Sequence, residues 1–314
     1  MTPLLARYKE LVPYQSQHAE NGIPRVVMEY LAASRVYPVV SPAGLVGRNA
    51  NARLRGWPGL CITIAECVPG HGPVAHNHTA TLETFFCIDG QFEILWGNGL
   101  KHKIVLEPGD LCSVPHGLYR SFKNISGQDA RLLVLIQGDQ HMSDKIEMPR
   151  GIGEALRQQH GDQVIDLLAG INMRFQGEDT ADFTPAQMEA RIARFARLTP
   201  KTAADGEVVY PVMAPATAEH AAAAPVACWS GLAVSLVLGQ PGETIRGTTE
   251  ATRCQWLVNV GGSEWEVEQG GVRTVLKFMD MLCVEPGTAR GLRNAGGTPG
   301  RLLLANQGRD TIVH

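Results

Sequence analysis

The strongest constraint on the fold is an internal repeat of short, strand-like segments. Residues 70–90 (GHGPVAHNHTATLETFFCIDG) align without a gap on residues 242–262 (GETIRGTTEATRCQWLVNVGG), and residues 110–124 align on 280–294. In both copies short apolar runs end at Gly, Pro, Asn or Asp, which is typical of β-strands joined by tight turns. The repeat predicts two similar β domains in one chain.

The repeat and its flanking segments divide the chain into four parts. We expect an N-terminal arm over residues 1–55, a first barrel of strands over 56–140, a connector over 141–206 and a second barrel over 207–314. The chain is long enough for two domains of ordinary size.

The connector has helical rather than strand-like spacing. Apolar residues recur at helical intervals in residues 152–171 and again in residues 184–200, where Thr184 followed by Pro185 is a helix start signal. The sequence therefore predicts a mainly β protein whose two barrels are joined by a helical connector.

Charge and composition exclude several classes of partner. The chain has 28 Lys and Arg against 31 Asp and Glu, a net charge of −3, so we expect no nucleic acid as a partner. Its N-terminus lacks the pattern of a signal peptide and no apolar run is long enough to cross a bilayer, so we expect a cytoplasmic protein without a membrane partner. The seven cysteines are scattered singly, which is typical of buried thiols in a reducing compartment.

Three polar residues in the first copy have the spacing of a metal site. His76 and His78 would point to the same face of a strand, because side chains alternate along it. Glu83, on the next strand, could add a carboxylate oxygen to the two imidazole nitrogens. Such a set suits Fe(II), Mn(II), Ni(II), Co(II) or Zn(II). The alternative is that the histidines are a surface pair and Glu83 a solvated acid.

The same stretch matches a family pattern. Gly70, five residues, His76, one residue, His78, four residues, Glu83, six residues and Gly90 complete the first motif of the cupin superfamily. With two copies the chain resembles a bicupin. The resemblance implies two double-stranded β-helix (jelly-roll) barrels, with any metal inside the mouth of the barrel.

The second cupin motif is matched with one departure. Gly109, Pro115, Gly117 and Asn124 stand where the motif has them, but Arg120 stands where it has a histidine. Cupin metals are commonly held by three histidines and the glutamate, and a guanidinium cannot become a ligand. The resemblance therefore leaves three protein ligands here.

Arg120 admits three interpretations. It would bind the carboxylate or phenolate of a substrate beside the metal, as a catalytic and substrate-binding residue. It would pair with Glu83 and leave a metal-free pocket. Or it would lean out of the barrel in a structural role. If Glu83 faces inward, Phe85 shares its face and Phe122 shares that of Arg120, giving an aromatic wall beside a cation that suits a planar anion.

The second copy lacks the three metal-type residues. Under the alignment His76, His78 and Glu83 correspond to Thr248, Glu250 and Gln255, whereas Arg120 corresponds to Arg290. We therefore expect no metal in the second barrel, and expect it to pack against its twin or a second subunit of a homo-oligomer.

The functional expectation follows from the open coordination sphere. Bicupins such as gentisate and quercetin dioxygenases imply an Fe(II) enzyme that uses O2 on a small aromatic or dicarbonyl anion, although a fold is not a function. One alternative is a redox-neutral lyase, decarboxylase or isomerase in which the metal polarises a carbonyl. The other is a non-enzymatic bicupin that binds a small ligand.

Overall fold

The computed structural model describes residues 4–138, 145–177, 180–202, 207–215, 224–246 and 249–309. These residues form two compact units. The first unit is Val12–Phe195, and the second combines Met1–Leu11 with Ala196–His314. The first unit thus contains most of the expected N-terminal arm and most of the expected connector as well as the first barrel.

The elements of the first unit are numbered in chain order, after β1 (Leu5–Ala6) of the second unit. Its strands are β2 (Arg35–Pro42), β3 (Leu54–Gly56), β4 (Leu60–Cys67), β5 (His76–His78), β6 (Thr81–Asp89), β7 (Phe92–Trp96), β8 (His102–Leu106), β9 (Leu111–Val114), β10 (Tyr119–Asn124), β11 (Ala130–Gly138), β12 (Ile146–Pro149), β13 (Met173–Gly177) and β14 (Ile192–Ala193). Its helices are α1 (Tyr14–Glu20), α2 (Arg25–Leu31), α3 (Arg150–His160), α4 (Asp162–Gly170) and α5 (Pro185–Glu189).

Two sheets build the first unit. One has the strand order β13-β12-β5-β10-β7-β8 and the other β14-β9-β6-β11-β4-β2-β3. Side chains from both sheets, including Phe85, Phe92, Trp96 and Phe122, pack in one core. Alternation explains why this works: Phe92, Ile94 and Trp96 lie on one face of β7 and are fully buried. The arrangement is the expected jelly-roll.

The second unit repeats the arrangement. Its further strands are β15 (Lys201–Thr202), β16 (Val208–Pro215), β17 (Val226–Cys228), β18 (Leu232–Gly239), β19 (Thr244–Arg246), β20 (Cys254–Gly261), β21 (Trp265–Gln269), β22 (Val272–Leu276), β23 (Met281–Val284), β24 (Arg290–Asn294) and β25 (Gly300–Gln307). One sheet has the order β1-β23-β20-β25-β18-β16-β15, with β17 also on β16, and the other β19-β24-β21-β22. Trp265, Val267 and Leu292 belong to its core.

Matched hydrogen bonds confirm the repeat alignment. The backbone N–H of Gly70 donates to the carbonyl of Asn124 at 2.9 Å, and that of Gly242 donates to Asn294 at 3.0 Å. The side-chain amides of Asn124 and Asn294 each donate to two backbone carbonyls at equivalent places. The motif glycines and asparagines therefore make the same backbone hydrogen bonds in both units.

The structure extends the repeat to a segment that the sequence alignment missed. In the first unit residues 192–195 (IARF) lie along β9, where Arg194 donates to Oδ2 of Asp110 at 2.8 Å. The backbone N–H of Phe195 donates to Oδ1 of the same carboxylate at 2.9 Å. We name this segment the first clasp.

Residues 5–8 (LARY) form the second clasp. They lie along β23, and the side chain of Arg7 and the backbone N–H of Tyr8 donate to Asp280 at 2.6 and 3.0 Å. Each clasp precedes, in the sequence, the barrel of the other unit. The segments that repeat in the sequence and the two compact units of the fold therefore have different boundaries.

The helix expected over residues 184–200 is much shorter. Thr184 caps α5 as expected, in a capping box with Gln187. The helix ends at Glu189, because the following residues pair with β9 as the first clasp. The other helical stretch forms α3 and α4, separated at Gly161. Among the described residues no helix is long and apolar enough to cross a membrane.

Candidate metal centre

His76, His78 and Glu83 meet inside the first unit. His76 and His78 occupy both ends of β5, and Glu83 lies on β6 after a short turn. Nε2 of His78 lies 3.4 Å from Oε1 of Glu83, and Nε2 of His76 lies 3.7 Å from Oε2. All three side chains are buried, and one ligand-type atom from each lies within 4.8 Å of the others.

The histidines are oriented by their other ring nitrogens. Nδ1 of His76 lies 2.9 Å from the carbonyl of Val74, which only accepts, so Nδ1 carries the proton in the neutral ring. Nδ1 of His78 lies 3.1 Å from the hydroxyl of Thr81. Such contacts fix the ring and turn Nε2 toward the centre, as in protein metal sites.

The protonation states suit metal binding. Burial lowers the pKa of His78 to about 3, so this imidazole is neutral at neutral pH. Burial alone raises the pKa of Glu83, but its interactions with His78 and His76 outweigh burial and hold that pKa well below its ordinary value. Glu83 is therefore a carboxylate.

The donor set fits a divalent cation. In the neutral ring the Nε2 lone pair of His76 faces a carboxylate, and Oε2 of Glu83 is buried without a hydrogen-bond partner among the described residues. A divalent cation would bind this lone pair and this carboxylate together. Two imidazoles and one carboxylate are the set found in non-haem Fe(II) sites, and His and carboxylate ligands also suit Zn, Mn, Ni and Co.

Arg120 lies beside this centre and points inward. It is 0% exposed, and its Nε lies 3.7 Å from Oε2 of Glu83. Its Nη2 donates to the carbonyl of Pro115 at 2.6 Å, whereas Nε and Nη1 have no hydrogen-bond partner among the described residues. Burial lowers its pKa to about 10, so it stays charged at neutral pH. The outward-leaning interpretation is therefore wrong, and the contact with Glu83 is too long for a hydrogen bond.

A small cavity adjoins the centre. It has a volume of about 60 Å³, and its lining includes His76, His78 and Glu83. Phe122 lines it, whereas Phe85 does not: Phe85 lies deeper, in edge contact with Phe122 at 5.2 Å between ring centroids. Arg120 is not among the lining residues either. Of the two phenylalanines expected there from the sequence, only Phe122 lines the cavity, and Tyr14, which the sequence analysis did not single out, lines it as well.

The cavity is also lined by a positively charged side chain that the sequence analysis did not single out. Arg48 and Asn49 line it, and both are buried at 7% and 2% exposure. They lie between β2 and β3, in a stretch (GRNANAR) that matches neither cupin motif. The clustered Gly and Asn residues predict a turn, but they give no signal for the inward direction of Arg48.

The matching place in the second unit has different chemistry. Arg290 donates to Oε1 of Gln255 at 2.6 Å and to the carboxylate of Glu207 at 3.0 Å. Its charge is therefore compensated by a buried acid. Glu250 and Gln255 stand where the first unit has His78 and Glu83, and Thr248 lies outside the described residues.

Comparison with known proteins supports the fold assignment. Residues 63–136 match the family model of the cupin domain. The match identifies a cupin domain in the first unit, and the second unit repeats its fold, so the chain has the architecture of a bicupin. A comparison with curated protein sequences gives no match.

Solved structures show the same architecture. An oxalate decarboxylase from Lactobacillus farciminis, solved as a formate complex, has a TM-score of 0.55 at 16% identity, covering 89% of this chain and 86% of that one. Vicilin from Capsicum annuum has a TM-score of 0.53 at 14% identity, covering 81% and 78%. Vicilin from hazelnut (Corylus avellana) has 0.53 at 13%, covering 87% and 80%. At these identities the likeness concerns the fold alone.

Proposed function

We propose that the first unit binds a divalent metal through His76, His78 and Glu83 and converts a small anionic dicarbonyl compound, with Fe(II) and O2 as the first candidate chemistry. The observation that carries the proposal is the convergence of three buried acceptors, one of them an orphaned carboxylate oxygen, on a single point. A bound Fe(II) would supply Lewis acidity and activation of O2 at positions that three protein ligands leave open.

The volume of the cavity limits the substrate. A water needs about 10–15 Å³ of such space, so about 60 Å³ accommodates roughly four to six water-sized groups. A small dicarbonyl anion fits this space, and a substituted aromatic ring exceeds it. Of the two substrate classes expected from the sequence, we therefore favour a small dicarbonyl anion over an aromatic one.

The chain's own residues supply the environment. Phe122, Val134 and Ile136 form an apolar side of the cavity and exclude water from the centre. Arg120 places a positive charge against Glu83 and favours its ionised form. The role of Arg120 as a substrate-binding residue remains a competing hypothesis, because its Nε and Nη1 are available as donors.

Redox-neutral chemistry is the second candidate. O2 and a substrate would have to share the same small cavity, whereas a lyase or decarboxylase needs room for one molecule only. The metal would then polarise a carbonyl without an oxidant. The fold of the oxalate decarboxylases is compatible with this candidate but does not argue for it.

Elemental analysis of protein purified without chelator, combined with O2 uptake and CO2 release on a panel of small 2-oxo acids, tests the proposal. Iron near one per chain with O2 uptake supports the first candidate. Bound Mn, Ni, Co or Zn with turnover but no O2 uptake supports the second. A protein that takes up no metal, even after reconstitution, refutes both and leaves a ligand-binding bicupin in which Arg120 neutralises Glu83.

A further inference from the structure

A buried threonine interrupts the row of side chains that β4 turns toward the core of the first unit. Side chains alternate along a strand, and the inward row of β4 consists of Cys61, Thr63, Ala65 and Cys67. The other three belong to the apolar core, whereas Thr63 carries a hydroxyl and is only 3% exposed. It also lines the cavity beside the metal centre. Packing alone therefore does not explain a hydroxyl at this position.

The hydroxyl of Thr63 has no hydrogen-bond partner among the described residues. Other buried threonines of this unit do have one: Thr84 donates to Oγ of Ser113 at 3.0 Å, and the hydroxyl of Thr81 lies 3.1 Å from Nδ1 of His78. A buried hydroxyl without a partner costs free energy that a valine of the same shape would avoid. A molecule in the cavity is therefore the partner to which Thr63 is open.

Thr63 lines the cavity two strands away from the metal ligand Glu83. In the sheet that contains both, β11 lies between β6 and β4. Glu83 pairs with Ile136 of β11, and Thr63 pairs with Val134, two residues along the same strand. Two strand spacings correspond to about 10 Å between the backbones. A small ligand held at the metal would therefore turn its far end toward Thr63.

The neighbours of Thr63 along the cavity wall are apolar. Ala65 follows it in the inward row of β4, Val134 pairs with it, and both line the cavity together with Ile136 and Phe122. Such a wall accommodates a short carbon chain. A hydroxyl within it both donates and accepts a hydrogen bond, so it suits a chain whose end carries a polar group rather than a methyl group.

We propose that the hydroxyl of Thr63 binds a polar group at the end of the ligand that lies away from the metal, and thereby selects 2-oxo acids with a terminal hydroxyl over those with an alkyl end. The inference rests on the proposed function for the metal and for the anionic end of the ligand, whereas the hydrogen bond itself requires neither. A site that binds a substrate hydroxyl rejects the analogue without it, because the polar group of the site is then left unpaired.

Calorimetric titration with hydroxypyruvate and with 2-oxobutyrate tests the inference. The two anions have the same charge and the same number of heavy atoms, and they differ only in a terminal hydroxyl or methyl group. The full-length protein is titrated after chelator treatment and after loading with Zn(II). We expect wild-type protein to bind hydroxypyruvate about three- to tenfold more tightly than 2-oxobutyrate, which is the effect of one hydrogen bond between neutral groups.

Three variants isolate the hydroxyl. T63V keeps the shape of the side chain and should lose the preference for hydroxypyruvate, whereas T63S keeps the hydroxyl and should keep the preference. S235A is the matched control, because residues 59–70 align on 231–242 and Ser235 stands where the first unit has Thr63. It removes a hydroxyl from the second unit and should bind both probes like wild type.

Urea denaturation without ligand separates binding from a structural role of the hydroxyl. T63V should be at least as stable as wild type, since it replaces an unpartnered hydroxyl with a methyl group. A T63V protein that is less stable than wild type would show that the hydroxyl supports the fold, and this result would overturn the inference.

The outcomes of the titrations separate the two proposals. Wild-type protein that binds neither probe or binds both equally, or T63V with the wild-type preference, overturns the inference, even where metal is bound and a 2-oxo acid is turned over. If no metal binds but chelator-treated wild-type protein prefers hydroxypyruvate and T63V loses that preference, the inference stands and the proposed function fails.

Discussion

Arg290 and Glu207 form a buried ion pair in which Nη2 of the arginine lies 3.0 and 3.2 Å from the two carboxylate oxygens. Arg120, its counterpart in the first unit, approaches its nearest carboxylate only to 3.7 Å and leaves two nitrogens without hydrogen bonds among the described residues. The same residue at the same place in the repeat is thus structural in one unit and adjoins a candidate metal centre in the other.

We predict that R290M destabilises the second unit by about 3–5 kcal/mol, because it removes the arginine that pairs with the buried carboxylate of Glu207. The double variant R290M/E207Q should recover part of this loss, since it also removes the buried negative charge of Glu207. Urea denaturation followed by circular dichroism measures the change, with R293M, an exposed arginine of the same strand, as control. Equal stability of R290M and R293M would contradict the prediction.

We predict that H76A, H78A and E83Q each remove most of the bound metal but leave the barrel folded, because the core of the first unit does not depend on these side chains. Metal content per chain is measured by elemental analysis, and folding by circular dichroism. H102A, a partly exposed histidine outside the centre, should keep its metal. Full metal content in all three ligand variants would refute the centre.

We predict that R120H tightens metal binding, because it restores an imidazole where the cupin motif has one, next to three existing ligands. R120M should leave metal content unchanged. Competition with a fluorescent chelator measures the affinity. If R120H and R120M both match the parent in metal affinity, ligand affinity and turnover, Arg120 has no part in the site.

We predict that the buried thiols of Cys67 and Cys112 resist modification in the folded protein. Burial raises the pKa of each to about 12, so at pH 8 almost none of either thiol is thiolate, which is the reactive form. The labelling rate of the folded protein should therefore stay far below that of the unfolded protein throughout pH 7 to 9. Labelling with a disulfide reagent, followed by peptide mass spectrometry, measures it, and the urea-unfolded protein is the control. Rapid labelling of either cysteine in the folded protein would contradict this expectation.

We predict that D280A loosens the second clasp and costs about 1–3 kcal/mol, because its carboxylate accepts from Arg7 and from two backbone amides. Trypsin should then cut after Arg7 faster than in the parent. D166A, which removes an exposed acid, is the control. Unchanged cleavage in D280A would show that the clasp is held by strand pairing alone.

Local patterns explain what the sequence could predict. His76 and His78 share a face because alternation along a strand is a local rule, and Glu83 joins them because the turn between β5 and β6 is short. The glycines and asparagines of the motifs were likewise informative, since they make backbone contacts within a few strands.

Long-range placement explains what the sequence could not predict. Arg48 reaches the cavity through a loop without a motif, and Glu207 meets Arg290 across 83 positions of sequence. Phe85 lies two residues beyond Glu83 on the same face, so it was expected at the ligand, but that step along the strand carries it below the cavity into the core. The distance of a side chain from the cavity depends on how the two sheets pack against each other.

The clasps decide where this chain can be divided. A cut that follows the sequence repeat, for instance near residue 140 or 206, would separate the first barrel from residues 192–195 or leave the second without residues 5–8. Fragments designed on the alignment would expose an unpaired sheet edge and an acid that has lost its arginine. A self-sufficient first half must therefore run from Val12 to Phe195, and a self-sufficient second half needs the first eleven residues returned to it, by fusion or as a separate peptide.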